Sequence, residues 1–221
     1  MSTKSITLFL ILLLATTVQA GKITDRPKSR FGLTFQGGYG FQNTNMITLD
    51  NGNHSTISFG GGIGGNFFFG HEFSPHFDLS ASVGGYTSML QPYVSNAKVT
   101  FNSTRFTITP AYILPIKDGS RMRIKFGAGL DLSFGNELEI EIDKLPNGHN
   151  DTWNYDSAIG YHINTIFEVN ASRRWAFSGG LQFNGISYRF NPGSYTYPLD
   201  TELKSPNGSA INVVFGAYYC F

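Results

Sequence analysis

The sequence predicts an all-β protein, an eight-stranded antiparallel up-and-down barrel. Three observations predict it: eight runs of alternating apolar and polar residues, connections that alternate between short and long, and an unusual composition. Glycine is frequent (26 of 221 residues), and aromatic residues make up 15%. Charged residues make up 14%, against roughly 25% in soluble domains. Soluble globular domains seldom combine these values.

The chain begins with the features of a cleavable export signal. Lys4 precedes an apolar stretch from Leu8 to Ala15, and small and polar residues lead to Ala20. This stretch is shorter than the roughly 20 apolar residues of a spanning helix. We therefore expect a signal peptide over residues 1–20 and one mature domain over residues 21–221. Because Gly21 rather than a cysteine follows the expected cut, no lipid anchor is expected.

The expected mature chain has equal numbers of basic and acidic residues, since the leader holds one lysine and no acid. No basic tract indicates a nucleic-acid partner. Cys220 is the single cysteine, so neither an intramolecular disulfide nor a multi-thiolate metal cage can form. The histidines are scattered without metal-site spacing, and we expect no metal and no other cofactor.

Alternation appears first in Phe31, Leu33 and Phe35, which interleave with small or polar residues, and it is most regular between Met122 and Phe134, where charge sits on one face only. The eight apolar faces run from Phe31 to Phe41, Ile57 to Phe69, Phe77 to Val83, Phe106 to Leu114, Met122 to Phe134, Tyr155 to Val169, Trp175 to Phe183 and Ile211 to Phe221. The seventh loses its phase near Gly185, where we expect a bulge or a similar irregularity.

The connections give the array a direction. The short ones are residues 73–75, 117–119 and 170–172, and the long ones are residues 43–56, 89–102, 135–151 and 191–208. Tight turns on the periplasmic side and long loops outside are typical of bacterial outer-membrane barrels. An even number of strands returns both ends of the chain to the same side. The pattern therefore predicts short periplasmic turns and long extracellular loops.

The same pattern indicates a membrane, because hydrocarbon satisfies no backbone hydrogen bonds and only a closed barrel can span it with strands. Apolar residues then face lipid and polar residues face the lumen, over strands of about 9 to 11 residues. Aromatic residues near the ends of the runs would form interfacial girdles. These are Phe31, Phe41, Phe77, Tyr112, Tyr155, Trp175 and Tyr219.

The last run, residues 215–221, alternates aromatic residues through Phe215 and Tyr219 and finishes at Phe221. With the leader and the eight runs, it resembles the small eight-stranded outer-membrane barrels that include the OmpX-like proteins and the OmpA membrane domain. The resemblance implies location in the outer membrane of a Gram-negative bacterium, contact with outer-membrane lipid, and recognition of the last strand by the barrel-assembly machinery. Cys220 is atypical of that ending and falls on a lumen-facing position.

The predicted lumen carries charge. If residues 117–119 form a three-residue turn, Arg105 lies opposite Asp131, and a similar turn at residues 170–172 places Glu168 opposite Arg174. Arg123, Lys125 and Asp78 also point inward. Eight strands leave room for side chains and little else, so we interpret these residues as lumen ion pairs. For Glu168 and Arg174, a solvated pair at the periplasmic rim is the alternative.

His162 is the one residue that invites a catalytic interpretation, because some eight-stranded outer-membrane barrels act on lipid A. Deacylases of that kind place a histidine and a serine close together on one strand. No serine stands two positions after His162, and its side chain is predicted to face the lumen. A histidine in the polar lumen network is therefore favoured, and no enzymatic activity is expected.

Three functions remain open. The first is a non-enzymatic porin-like envelope protein with a structural or surface-interaction role, which presents its loops to possible partners outside. The second is a narrow porin-like channel for small or apolar solutes, and the ion-paired lumen argues against it. The third is a soluble lipocalin-like binding barrel, whose apolar faces would point inward. Alternation alone does not separate the third from a membrane barrel.

Overall fold

The computed structural model describes residues 27–48, 52–94, 97–116, 120–141, 150–192 and 201–221. The expected signal peptide, residues 1–20, lies outside the described residues. No helix in the described ranges is long and apolar enough to cross a membrane.

The described residues form eleven strands and one short helix. The strands are β1 (Ser29–Gly40), β2 (Thr44–Thr48), β3 (His54–Ile57), β4 (Gly62–Ser74), β5 (Phe77–Met89), β6 (Lys98–Pro115), β7 (Met122–Glu141), β8 (Asp151–Tyr155), β9 (Ala158–Asn170), β10 (Trp175–Gly185) and β11 (Ala210–Cys220). The helix α1 covers Thr201–Lys204.

Eight of these strands close into the antiparallel barrel that the alternation predicts. Their order around the barrel is β1, β4, β5, β6, β7, β9, β10 and β11. The seam pairs β1 with β11, from Arg30 opposite Cys220 to Gly40 opposite Ala210. The other three strands lie beyond the barrel wall: β2 pairs with β3, and β8 pairs with the far end of β7. The fold prediction is therefore confirmed.

The two faces of the wall have opposite polarity. Large apolar side chains cover the outside, and Phe67 and Leu130 are 71% and 64% exposed there. The side chains that alternate with them are small or polar and point into the lumen, as Thr34 and Asp131 do. A lipocalin-like barrel would have the reverse arrangement, because its apolar faces enclose a ligand. The structure therefore contradicts the soluble alternative.

The short and the long connections lie at opposite ends of the barrel, as predicted. Three connections at one end of the barrel are short: residues 75–76, 116–121 and 171–174. We call this the turn end, and residues 117–119 of the second turn lie outside the described residues. The opposite end carries the long connections and is called the cap end.

A bulge at Gly135 reverses the polarity of β7. Gly135 has a φ of +60°, a left-handed conformation that favours glycine. There the β6–β7 register shifts between Asn102 and Thr104. Beyond it Leu138 and Ile140 are buried, whereas Glu137 and Glu141 are exposed and Glu139 is half-buried. The prediction of a loop from Gly135 is therefore wrong, because the strand continues with its apolar side turned inward.

The inward apolar residues at the cap end form a hydrophobic core, which we call the cap. Its buried members are Ile57, Phe59, Leu90, Val99, Phe101, Leu138, Ile140, Trp153, Tyr155, Ala158, Ile186, Tyr188 and Leu203. They come from β3, β6, β7, β8, β9, α1 and the segments that connect the strands. The cap is apolar inside and polar outside, as water-facing domains are, whereas the barrel wall is the reverse.

The cap corrects several expectations about lipid-facing residues. Ile57, Phe59 and Tyr155 were predicted on the lipid face, and all three are buried in the cap. The physical reason is that the second and sixth apolar runs each continue past their barrel strand into a segment of the cap. The phase loss near Gly185 has a similar origin, since β10 ends there and the chain carries Ile186 into the cap.

Candidate functional site: the closed lumen

Six charged side chains form one layer across the lumen near the turn end, and we call it the ion layer. It consists of Arg30, Glu72, Asp78, Arg123, Lys125 and Glu168, contributed by β1, β4, β5, β7 and β9. Three cations thus face three anions. Because the layer is electrically balanced, no net charge has to be held in the confined lumen.

Glu168 is the member with the most cationic contacts. It is 1% exposed, and its Oε1 accepts from Arg123 Nε at 2.9 Å. Its Oε2 lies 2.6 Å from Lys125 Nζ and 3.8 Å from Arg30 Nε. Lys125 also donates to Asp78 Oδ2 at 3.1 Å. Glu168 therefore joins β9 to β7 and, across the lumen, to β1.

Arg30 and Glu72 complete the layer on the other side. Arg30 donates to Glu72 at 2.8 Å and pairs with Asp78. Arg123 Nη1 donates to the second oxygen of Glu72, also at 2.8 Å. The paired guanidinium and carboxylate groups leave little open cross-section at this level.

Arg30 and Glu72 were not among the lumen candidates predicted from the sequence. A signal was present, because Arg30 has the same parity as the inward residues Thr34 and Gln36. Glu72 likewise continues the inward side of β4 past Gly70. The predicted runs stopped one to three residues short of them.

The predicted pairing of Arg105 with Asp131 is wrong. The last pair of the β6–β7 hairpin is Pro115 with Arg123, so Arg105 lies opposite Ser133 and Asp131 lies opposite Thr107. Seven residues lie between the members of this last pair, where the expected turn has three. A shift by two residues keeps every side chain on its predicted face and changes only its partner.

The predicted pairing of Glu168 with Arg174 is also wrong. Glu168 lies opposite Ser178 in the β9–β10 ladder. Arg174 is exposed in the connection before β10, where its carbonyl oxygen accepts a hydrogen bond from the Cys220 amide. The turn again uses more residues than expected, and it leaves Arg174 at the rim.

Asp131 forms a buried chain with His162 and Thr109 in the middle of the lumen. His162 Nδ1 lies 2.7 Å from Asp131 Oδ1, and its Nε2 lies 2.8 Å from Thr109 Oγ1. The placement of His162 inside the lumen follows the predicted face. A carboxylate, an imidazole and a hydroxyl in this order resemble the hydrogen-bonded chain of serine hydrolases.

Arg105 lies at the end of the lumen that is next to the cap. Its guanidinium donates to Tyr188 Oη at 3.0 Å and lies over the Tyr86 ring, 4.3 Å from the centroid. Phe101 and Tyr188 pack edge to face with their ring centroids 5.0 Å apart, and the Phe59 ring centroid lies 4.7 Å from that of Phe101. Aromatic rings therefore close the lumen at the cap end.

A polar cavity of about 90 Å³ remains inside the lumen. It is large enough to hold several water molecules. Thr109, Asp131 and His162 line it together with members of the ion layer. This space is small compared with a lipid or an oligosaccharide.

The last strand contributes its predicted aromatic residues to the outside of the seam. Phe31 contacts Tyr219 and Phe221, with ring centroids 5.7 Å and 5.8 Å apart. The Phe221 amide donates to Ser29 O at 2.9 Å. Phe215 lies opposite Phe35 and is exposed on the outer face. These contacts place the three aromatic residues where β11 closes against β1.

Comparison with solved structures identifies the fold. The crystal structure of the outer membrane protein OprG of Pseudomonas aeruginosa is similar, with a TM-score of 0.51 and 12% identity over 92% of this chain and 99% of that one. Ail, the attachment invasion locus protein of Yersinia pestis, gives 0.50 and 11% over 89% and 100%. Neisserial surface protein A gives 0.50 and 10% over 87% and 96%. No protein-family model and no curated protein matches the chain by sequence. The chain therefore has the fold of the small eight-stranded outer-membrane barrels.

Proposed function

We propose that the protein is a sealed, non-enzymatic barrel of the bacterial outer membrane that presents the cap at the cell surface. The observation that carries the proposal is the closure of the lumen at two levels. The ion layer fills the turn end with paired side chains, and the aromatic rings of the cap cover the other end. A structural or surface-interaction role fits such a molecule better than transport does.

The orientation follows from the polarity of the two ends. On its outer side the cap carries Glu137 and Glu141, which are exposed, and Glu139, which is half-buried, and a row of carboxylates is stable only in water. The short turns fit the periplasmic side, as in other outer-membrane barrels. Partners at the cell surface would then meet the outward face of the cap, and the assembly machinery would recognise β11.

Catalysis is not part of the proposal. The chain of Asp131, His162 and Thr109 is buried, and the cavity beside it has a volume of only about 90 Å³. General-base chemistry needs a substrate within hydrogen-bonding distance of the base. Since both ends of the lumen are closed, these side chains are better explained as a lumen hydrogen-bond network.

Single-channel recording in planar bilayers tests the proposal. The refolded protein is expected to show no current steps, because each closure alone blocks the lumen. The double variant Glu72→Ala, Arg123→Ala removes one anion and one cation from the ion layer, so the charge balance of the layer is unchanged. The double variant Phe59→Ala, Phe101→Ala removes two aromatic rings from the cap. Each of these double variants is expected to remain silent.

The quadruple variant, with both closures thinned, is expected to conduct in small steps. Each variant is first checked for the gel-mobility shift on heating that a closed barrel shows. Stable current steps from the unchanged protein would overturn the proposal in favour of a channel. A silent but folded quadruple variant would show that the two closures are wrongly placed.

A further inference from the structure

The outer wall of the barrel has a depression of about 690 Å³ near the cap end, which we call the wall pit. Its floor is formed by Gly65 on β4 and Gly85 on β5, which lie opposite each other in the β4–β5 ladder. Phe35 on β1 borders Gly65, and Thr104 on β6 borders Gly85. Phe35 is 59% exposed, so this row of residues faces outward.

The packing of the protein does not account for the two floor glycines. A Cβ atom added at Gly85 would meet nothing within 4 Å, and one added at Gly65 would make only an ordinary 3.6 Å contact with the Phe35 ring. The neighbouring Gly84, by contrast, faces the lumen and would place a Cβ atom 2.0 Å from Gly65 O. Glycine in a strand interior weakens it and often marks a close approach by another molecule.

The wall pit lies at the border between the apolar wall and the cap. Thr104 pairs with Phe134 in the wall, and Asn102, one row farther, pairs with Glu137 beyond the bulge. Thr87 is the partner of Asn102 on β5. The Thr87 hydroxyl and the Asn102 amide therefore line the side of the pit toward the cap. The Phe35 ring lies in the same row as the two floor glycines.

The chemistry of the lining selects one kind of occupant. The pit is continuous with a wall whose exposed side chains are apolar, so hydrocarbon fills it at lower cost than water does. None of its lining residues is charged, so a headgroup charge is not what it recognises. Uncharged hydrogen-bonding groups beside an apolar floor match the ester linkage and first carbons of an acyl chain.

We propose that the wall pit binds one acyl chain of an outer-leaflet lipid. The chain lies over Gly65 and Gly85, and its ester linkage lies beside Thr87, Asn102 and Thr104. This site is independent of the closed lumen, since it uses only the outer face of the wall. It gives the protein a preferred lipid contact on one side of the barrel.

Lipid retention measured by native mass spectrometry tests the site. The refolded protein is incorporated into dimyristoyl phosphatidylcholine bilayers, transferred to detergent and examined for bound lipid. The unchanged protein is expected to retain one lipid. Gly85→Leu fills the pit and is expected to lower the retained fraction at least fivefold. Thr104→Val removes one hydroxyl at constant shape and is expected to lower it about twofold.

Gly179→Leu is the matched control. Gly179 on β10 lies opposite Phe215, which in turn lies opposite Phe35, so it stands in the same row around the barrel. A Cβ atom there would contact the Phe215 ring at 3.6 Å, as one at Gly65 contacts Phe35. This variant is expected to retain lipid like the unchanged protein.

Any of three results in this experiment would overturn the proposal: no lipid retained by the unchanged protein, equal retention by Gly85→Leu, or equal loss in Gly179→Leu.

Dimyristoyl phosphatidylglycerol replaces phosphatidylcholine in a second arm and is expected to be retained equally. Retention of the anionic lipid alone would also overturn it, because the uncharged pit would then not be the site. If Gly85→Leu lacks the heat-dependent gel shift of a folded barrel, Thr104→Val decides, and unchanged retention in that variant overturns the proposal.

Discussion

Glu168→Gln is expected to lower the free energy of unfolding by about 3 to 5 kcal/mol, the usual cost of removing one partner from a buried ion pair. The substitution keeps the shape of the side chain and removes its charge. Glu168 is 1% exposed and contacts Arg123 and Lys125 at hydrogen-bonding distance. Its loss leaves three cations facing Glu72 and Asp78 in a confined layer. Urea-induced unfolding in lipid vesicles measures the change.

The chain offers a matched control for this substitution. Glu141 pairs with Lys98 at 2.8 Å, but the two side chains are 47% and 56% exposed. Glu141→Gln is expected to cost less than about 1 kcal/mol, because water and salt screen an exposed pair. Equal small effects at both positions would show that water reaches the ion layer and that it does not close the lumen.

A second substitution tests whether charge balance is the cause. Lys125→Met in the Glu168→Gln background leaves two cations, Arg30 and Arg123, facing two anions. Part of the lost stability is expected to return, since the excess positive charge is gone. If the double variant is instead as unstable as the sum of the two single variants, the layer acts through separate contacts rather than through its overall balance.

Deletion of Phe221 is expected to reduce the folded protein in the outer membrane of cells to a small fraction of its normal level. Two roles of Phe221 predict different results in the test tube. As a seam residue it supplies one hydrogen bond to Ser29 and a ring contact with Phe31, a modest share of an eleven-pair ladder. As part of the assembly signal it acts only in cells.

The proposed assembly role therefore predicts a split result. The shortened chain is expected to refold into detergent with a normal gel-mobility shift on heating, and to fail in cells. Phe73→Ala is the control, because Phe73 is an exposed aromatic residue at the same end of the barrel and belongs to β4 rather than to the seam. Normal levels of the shortened chain in cells would contradict the assembly role.

The alternation of apolar and polar residues from Phe31 to Phe221 is sufficient to predict the barrel, because each lipid-facing strand has apolar residues at every second position. The cap was not predictable in the same way. Leu138 and Ile140 also alternate, but a single left-handed glycine before them exchanges inside and outside. The sequence does not show that Gly135 has a positive φ, so the alternation after it is not recognised as a continuation of the strand.

Contacts between the lumen residues were even harder to predict from the sequence than the cap. Parity alone places Asp78, Arg123, Lys125 and Glu168 inside, and the structure has them there. Which of them touch depends on turn lengths and on the stagger of the strands around the cylinder. The longer connection after Pro115 moved Arg105 away from Asp131, and the curvature of the barrel brought Arg30 of β1 to Glu168 of β9.

We propose that the protein has a lipid-facing wall, a water-facing cap outside the cell and a turn end in the periplasm. Labelling of single cysteines with a membrane-impermeant maleimide tests it most directly, in a Cys220→Ser background. Glu139→Cys on the cap is expected to react on intact cells, and Ser172→Cys at the turn end only after the outer membrane is permeabilised. Phe126→Cys on the wall is expected to react in neither case. Reaction of Ser172→Cys but not Glu139→Cys on intact cells would contradict the orientation, and reaction of Phe126→Cys would contradict the membrane-spanning wall.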